Sequence, residues 1–133
     1  MDLNNLKPEL ADEGVVMEVI HPDTEEPIAG MTITLMGQDS AAYRKLALKK
    51  QQAVLSRLSK GKKAADFKAE QIEADTIDEL VALTVTWSGF ERGEDEIAPT
   101  PANFREIYTE FRWIREQAQA FVADRANFFR KAD

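Results

Sequence analysis

The sequence predicts an α+β fold: an N-terminal antiparallel β-hairpin packed on a mostly α-helical body. Three observations carry this. Two β-branched stretches, residues 14–20 and 28–36, flank the turn HPDTEEP, whose prolines and acids cannot continue a strand. A basic amphipathic run follows at about 40–60. Two longer runs, about 64–88 and 101–130, repeat apolar residues at helical spacing.

Taken in order, residues 1–13 read as a loose lead-in, with Leu3, Leu6 and Leu10 to anchor it. Residues 14–133 read as a single domain. The hairpin spans 14–36, and its second strand sets Met31, Ile33 and Leu35 on one face and Thr32 and Thr34 on the other. A bare hairpin is marginal, so one face must lie on helices. Asp39 or Ser40 then caps a helix over about 40–60. Tyr43, Ala47, Val54, Leu55 and Leu58 share its apolar face, which lacks Trp and Phe and is expected to pack in the core rather than on a membrane.

The centre of the core is expected in 64–88. From Ile72 the small or apolar positions fall at Thr76, Leu80, Leu83 and Trp87, all on one helical face. Thr76 and Glu79 have the spacing of a capping box, at which the helix starts or restarts. Gly89 stops the helix as a left-handed cap, and Phe90 folds back on the last turn. Leu80, Leu83, Trp87 and Gly89 are therefore the expected structural core. After the acidic loop ERGEDEIAPTP, Thr100 and Pro101 restart a helix. From Phe104 to Phe129 its apolar face keeps phase. A single helix over 101–130 would reach about 45 Å at 1.5 Å per residue, long for so small a domain, so either a break or bend near 109–112 or a tail end that leaves the body is expected.

Composition narrows function by exclusion. The 133 residues hold no cysteine and one histidine, which excludes thiolate and multi-histidine metal sites. No apolar run nears the ~18 residues of a membrane span, and the polar, acidic N-terminus does not read as a signal peptide; a cytoplasmic protein is expected. The net charge of −7 is segmented, at −7 over 1–37, +7 over 38–65, −8 over 66–96 and +1 beyond. Net acidity argues against nucleic acid as a partner. Contact between unlike blocks of neighbouring subunits would give self-association as a ring or filament.

No phosphate-binding glycine loop is present, and the glycines are dispersed at turns. His21, Asp39 and Ser40 can be drawn as a triad, as any chain with one histidine allows, and a solvated loop is the plain reading of Glu91, Glu94, Asp95 and Glu96. No catalytic residue, cofactor or metal is expected. The chain reads as a protein that binds proteins, and the expected partner residues are aromatic positions of the C-terminal run: Trp113, Phe121, Phe128 and Phe129.

Three stretches together resemble the tail assembly chaperones of long-tailed phages and prophages. They are MEVIHPDTEEPIAGMTITLMGQDSAAYRK, LVALTVTWSGF and PTPANFREIYTEFRWIREQAQAFVADRANFF, and the resemblance covers about residues 14–130. One departure is Arg112, near which the family often has a proline. The resemblance implies a small cytoplasmic protein, absent from the mature virion, that coats the aggregation-prone tape measure protein and helps recruit tail tube subunits. A reading of another class is an acidic inhibitor or DNA mimic directed at a host protein, which would need its acids on one surface; here the bases of 44–63 interrupt them.

Overall fold

The computed structural model describes residues 1–59 and 69–129. The expected linker around Gly61, the start of the 64–88 helix and the last residue of the 101–130 helix lie outside the described residues. Strands β1 (Val15–Ile20) and β2 (Pro27–Leu35) form the predicted antiparallel hairpin, pairing Val15 with Leu35 and Glu18 with Thr32 before a register shift at Ile20. Ile33 and Leu35 are fully buried, and Thr32 and Thr34 lie on the more open face, as the alternation requires.

The largest departure lies at residues 84–88. The helix of the central run, α2 (Ala69–Leu83), ends early, and Thr84–Ser88 is strand β3. It pairs antiparallel with the second edge of β2, giving a sheet ordered β1-β2-β3. Thr84, Val85 and Thr86 are β-branched, which disfavours helix and suits a pleated surface. The free edge of β2 satisfies their backbone groups, a stronger reward than a further helical turn. Trp87 consequently pairs with Ile33, stacks on Phe90 at a centroid distance of 4.3 Å, and donates its indole N–H to Ile97 O at 2.8 Å. Gly89 takes a φ of +80°, though it follows a strand rather than a helix. Thr76 marks no helix start: its hydroxyl bonds back to Ile72 O at 3.0 Å within α2. Ile72 is 63% exposed, so the core face of α2 begins at Ile77.

Helix α1 (Ala41–Ser59) is capped by Ser40, whose Oγ accepts from the Tyr43 N–H at 3.2 Å. It lies beside α2, where Lys50 reaches Asp75 O at 2.6 Å. A short hairpin, β4 (Glu91–Arg92) with β5 (Asp95–Glu96), fills part of the acidic loop. Helix α3 (Pro101–Glu110) starts as predicted, with Thr100 accepting from the Asn103 N–H at 3.3 Å and Pro101 at its first position. The expected break comes at Phe111, with φ −107° and ψ 82°, and α4 (Arg112–Ala123) follows. No proline makes this break. Turning the chain there lets Phe104, Ile107 and Tyr108 of α3 and Ile114, Ala118 and Val122 of α4 all reach one core. A 3-10 turn, Arg125–Phe128, follows α4, and another lies in the lead-in at Leu3–Leu6.

The lead-in is tied down at its end. Ala11 is buried, Leu10 N–H donates to Phe128 O at 2.8 Å, and Gly37 N–H donates to Ala11 O at 2.9 Å. Gly37 permits this because a Cβ there would meet the Phe128 ring at 3.0 Å.

Candidate functional site

The buried polar groups form a structural network. Thr84 Oγ1 donates to Leu80 O at 2.6 Å, which commits its one proton, so Tyr108 Oη is the donor in the 2.7 Å bond between the two hydroxyls. Burial raises the Tyr108 phenol to about 12. Arg115, 8% exposed, donates to Tyr108 O at 3.1 Å and to Glu73 Oε1 at 3.0 Å, tying the start of α4 to α3 and α2. The residues of the nominal triad are engaged separately. His21 Nδ1 accepts from the Asp23 N–H at 3.1 Å in an exposed turn, Asp39 pairs with Arg125 at 2.7 Å, and Ser40 caps α1. Among the described residues no cluster of three histidines or carboxylates is placed to hold a metal, and no helix is long and apolar enough to cross a membrane.

Among the described residues, two concave surfaces and one convex one stand out. An open groove of about 750 Å³ runs between the edge strand β1 and α4, lined by Val16, Ile20, Ala120 and Phe121 with Glu18 and Asp124. At one point the strand edge is occupied: Gln117 accepts from the Ile20 N–H at 2.9 Å and donates to Ile20 O at 2.6 Å. The second is a tighter pocket of about 280 Å³ at the α3–α4 junction, walled by Ile28, Met31, Phe90, Ile97, Phe111 and Trp113. Glu91 and Arg92 line its mouth, and Glu110 holds the Arg92 guanidinium above its ordinary pKa by hydrogen bond and charge.

The convex surface is the outer side of α1. The sequence reading placed its apolar residues in the core, but Leu48, Val54 and Leu58 are exposed, and Leu55 is 59% exposed. The reason is geometric. Tyr43, Leu46 and Lys50 take the side of α1 turned toward the body, Leu48 and Leu55 lie on the opposite arc, and Leu58 lies on the flank between them.

Of the expected partner residues, Trp113 and Phe121 are half-buried, Trp113 walling the pocket and Phe121 the groove. Phe129 is also half-buried, at the end of the 3-10 turn. Phe128 is corrected to core: it is 1% exposed, held edge-on to Phe121 at 5.7 Å and closed over by Gly37 and Ala11. Leu80, Leu83 and Trp87 are buried, as expected of them, while Gly89 is exposed and works through its backbone. Sequence reasoning missed Gln117 and Arg115. Both are polar residues of an amphipathic helix, and Arg115 beside Ile114 on the buried side of α4 was the available signal.

No family model matches this chain, and neither a curated protein nor a solved structure matches it.

Proposed function

We propose that this protein is a tail assembly chaperone of a long-tailed phage or prophage: it binds the tape measure protein, keeps it soluble and helps recruit tail tube subunits. The reading rests on the resemblance of residues 14–130, and the observation that carries it furthest toward a mechanism is the groove between β1 and α4. The groove is open and walled largely by apolar side chains, with Glu18 and Asp124 in its lining. An elongated segment with apolar residues flanked by bases suits it, and such a segment of the tape measure protein is the client assigned here. Phe121, at the centre of the C-terminal apolar stripe, is the side chain this reading places against the client. Chaperoning here is binding, not chemistry, and self-association into a ring or filament would line many such grooves along a long client.

Co-expression with the neighbouring tape measure gene product tests the reading. Increased soluble client, recovered in complex with this chain, is the expected result. A client that stays insoluble, or capture of a host nuclease instead, overturns it in favour of the inhibitor reading.

A further inference from the structure

The ladder between β1 and β2 fixes which way each main-chain group of β1 points. Along a strand these groups turn to one neighbour at one residue and to the other neighbour at the next. Two bonds past the end of β2 set the phase. Met36 N–H donates to Leu83 O, on the β3 side, at 2.8 Å, and Gly37 N–H donates to Ala11 O, on the β1 side, at 2.9 Å. The odd-numbered residues of β2 therefore bond to β1. Ile33 pairs with Met17 and Leu35 with Val15, so those two residues of β1 turn inward. Val16, Glu18 and Ile20 then point their N–H and C=O groups away from the sheet. Ile20 confirms the phase, since both its groups meet the Gln117 amide, at 2.9 and 2.6 Å. The register shift after Glu18 leaves the alternation of β1 intact, with Met17 and Val19 buried and Val16 and Glu18 exposed.

Outward main-chain groups on a sheet edge are a template for another strand. Gln117 closes the edge at Ile20, and the groove of about 750 Å³ opens beside Val16 and Glu18, with Ala120 and Phe121 of α4 in its far wall. A strand laid there at the usual ~4.8 Å spacing meets the N–H and C=O of both residues along one side. Pleat and charge select what it carries. Its side chains alternate between the face covered by α4 and the face that bears Glu18. Apolar residues suit the first face. Glu18 and Asp124 line the groove, so bases suit the second. A second copy's β1 would bring another Glu18 into an already acidic groove, which selects against it.

We propose that the free edge of β1 takes up an extended partner segment, alternating apolar and basic residues, as a fourth strand of the sheet. The segment bonds to Val16 and Glu18, stops at Gln117, and sets its apolar side chains on Phe121 and its bases beside Glu18. Main-chain bonds supply the affinity of such strand addition, and the alternate side chains supply its selectivity. The partner's identity as a segment of the tape measure protein rests on the proposed function; the strand conformation does not.

Titration of the full chain with a short blocked peptide alternating lysine and valine, followed by amide hydrogen exchange, tests it. The N–H groups of Val16 and Glu18 are expected to gain protection, while that of Met17, already in the ladder, stays as it was. The same peptide methylated on every main-chain nitrogen keeps its charge and side chains but has no N–H to donate. It is expected to bind at least about tenfold more weakly. Val16→Pro removes one outward N–H and is expected to fold, because an edge strand accepts proline where its N–H faces out. Val16→Ala loses the side chain and keeps the N–H. Val16→Pro is expected to bind the peptide at least about tenfold more weakly than Val16→Ala. Equal binding of the two peptides overturns the proposal, as does unchanged exchange at Val16 and Glu18. A Val16→Pro chain that no longer folds also overturns it, by placing that N–H inside the ladder. Capture of co-expressed tape measure protein is scored separately. Equal capture by wild type and Val16→Pro overturns strand addition and leaves the proposed function standing. Peptide protection at Val16 and Glu18 without any client capture supports strand addition and overturns the proposed function.

Discussion

The side-chain amide of Gln117 pairs with both main-chain groups of Ile20, accepting at 2.9 Å and donating at 2.6 Å. One residue of α4 thus does for the end of β1 what a neighbouring strand would do. An open strand edge invites pairing with other chains, and a blocked edge resists it. Gln117→Ala removes both partners from a part-buried peptide unit. The expected cost is about 1–3 kcal/mol in urea unfolding, accompanied by faster amide exchange at Ile20. An unchanged midpoint with unchanged exchange would show that water replaces the amide without loss.

Tyr108 and Thr84 allow a sharper comparison, because the donor is known. Thr84→Val leaves a buried phenol with no acceptor and should cost about 1–3 kcal/mol, whereas Tyr108→Phe leaves Thr84 still donating to Leu80 O and should cost less, about 1 kcal/mol. The pH dependence has a definite sign. Burial raises the phenol from 10.0 to about 12 in the folded state, so the unfolded chain releases its proton first. The contribution is complete below pH 10 and is lost as pH rises toward 12, by roughly 2–3 kcal/mol in all. Subtracting the Tyr108→Phe profile from wild type isolates it. Parallel profiles would sink the assignment.

The hairpin, the caps at Ser40 and Thr100 and the break near Phe111 were legible in the sequence, because each depends on local chemistry or on length. Strand β3 was not. Leu80, Leu83 and Trp87 fit a helical face by spacing alone, and only the β-branched run at Thr84–Thr86 argued otherwise. What decided it was a long-range partner, the second edge of β2, which periodicity cannot see. The exposed face of α1 was misread for a related reason: an apolar arc says that something covers it, not that the same subunit does. For the partner residues, spacing set Phe128 at the edge of the stripe, but the 3-10 turn after Asp124 re-aims it into the gap over Gly37.

Gly89 and Gly30 both have positive φ, +80° and +75°, yet their surroundings differ. A Cβ on Gly89 overlaps the Gly30 carbonyl, whereas one on Gly30 meets nothing within 4 Å. Gly30→Ala should therefore cost only the left-handed penalty of about 1–2 kcal/mol. Gly89→Ala adds a backbone displacement between β2 and the end of β3, which also carries Trp87 and its stack on Phe90. Its melting temperature should fall well below that of Gly30→Ala. Equal shifts would mean that the strands separate there without strain.

The groove proposed for the client gives the last prediction, and Phe128 and Phe121 separate its two contributions. Phe128 is 1% exposed, so Phe128→Ala opens a cavity beneath Gly37 and Ala11 and should cost about 3–5 kcal/mol. Any loss of client binding in that variant follows from unfolding. Phe121 is only half-buried, with one side on Phe128 and the other on the groove, and Val16 across from it is 58% exposed. Val16→Glu should leave the melting temperature nearly unchanged, since the side chain already faces solvent. It also places a second carboxylate beside Glu18, in the apolar wall that a client segment would cover. Val16→Glu is therefore expected to weaken capture of the tape measure protein at least about tenfold, equivalent to ~1.4 kcal/mol, while Trp113→Ala, which alters the other pocket, leaves client capture intact. Full client rescue by Val16→Glu would remove the groove as the client site.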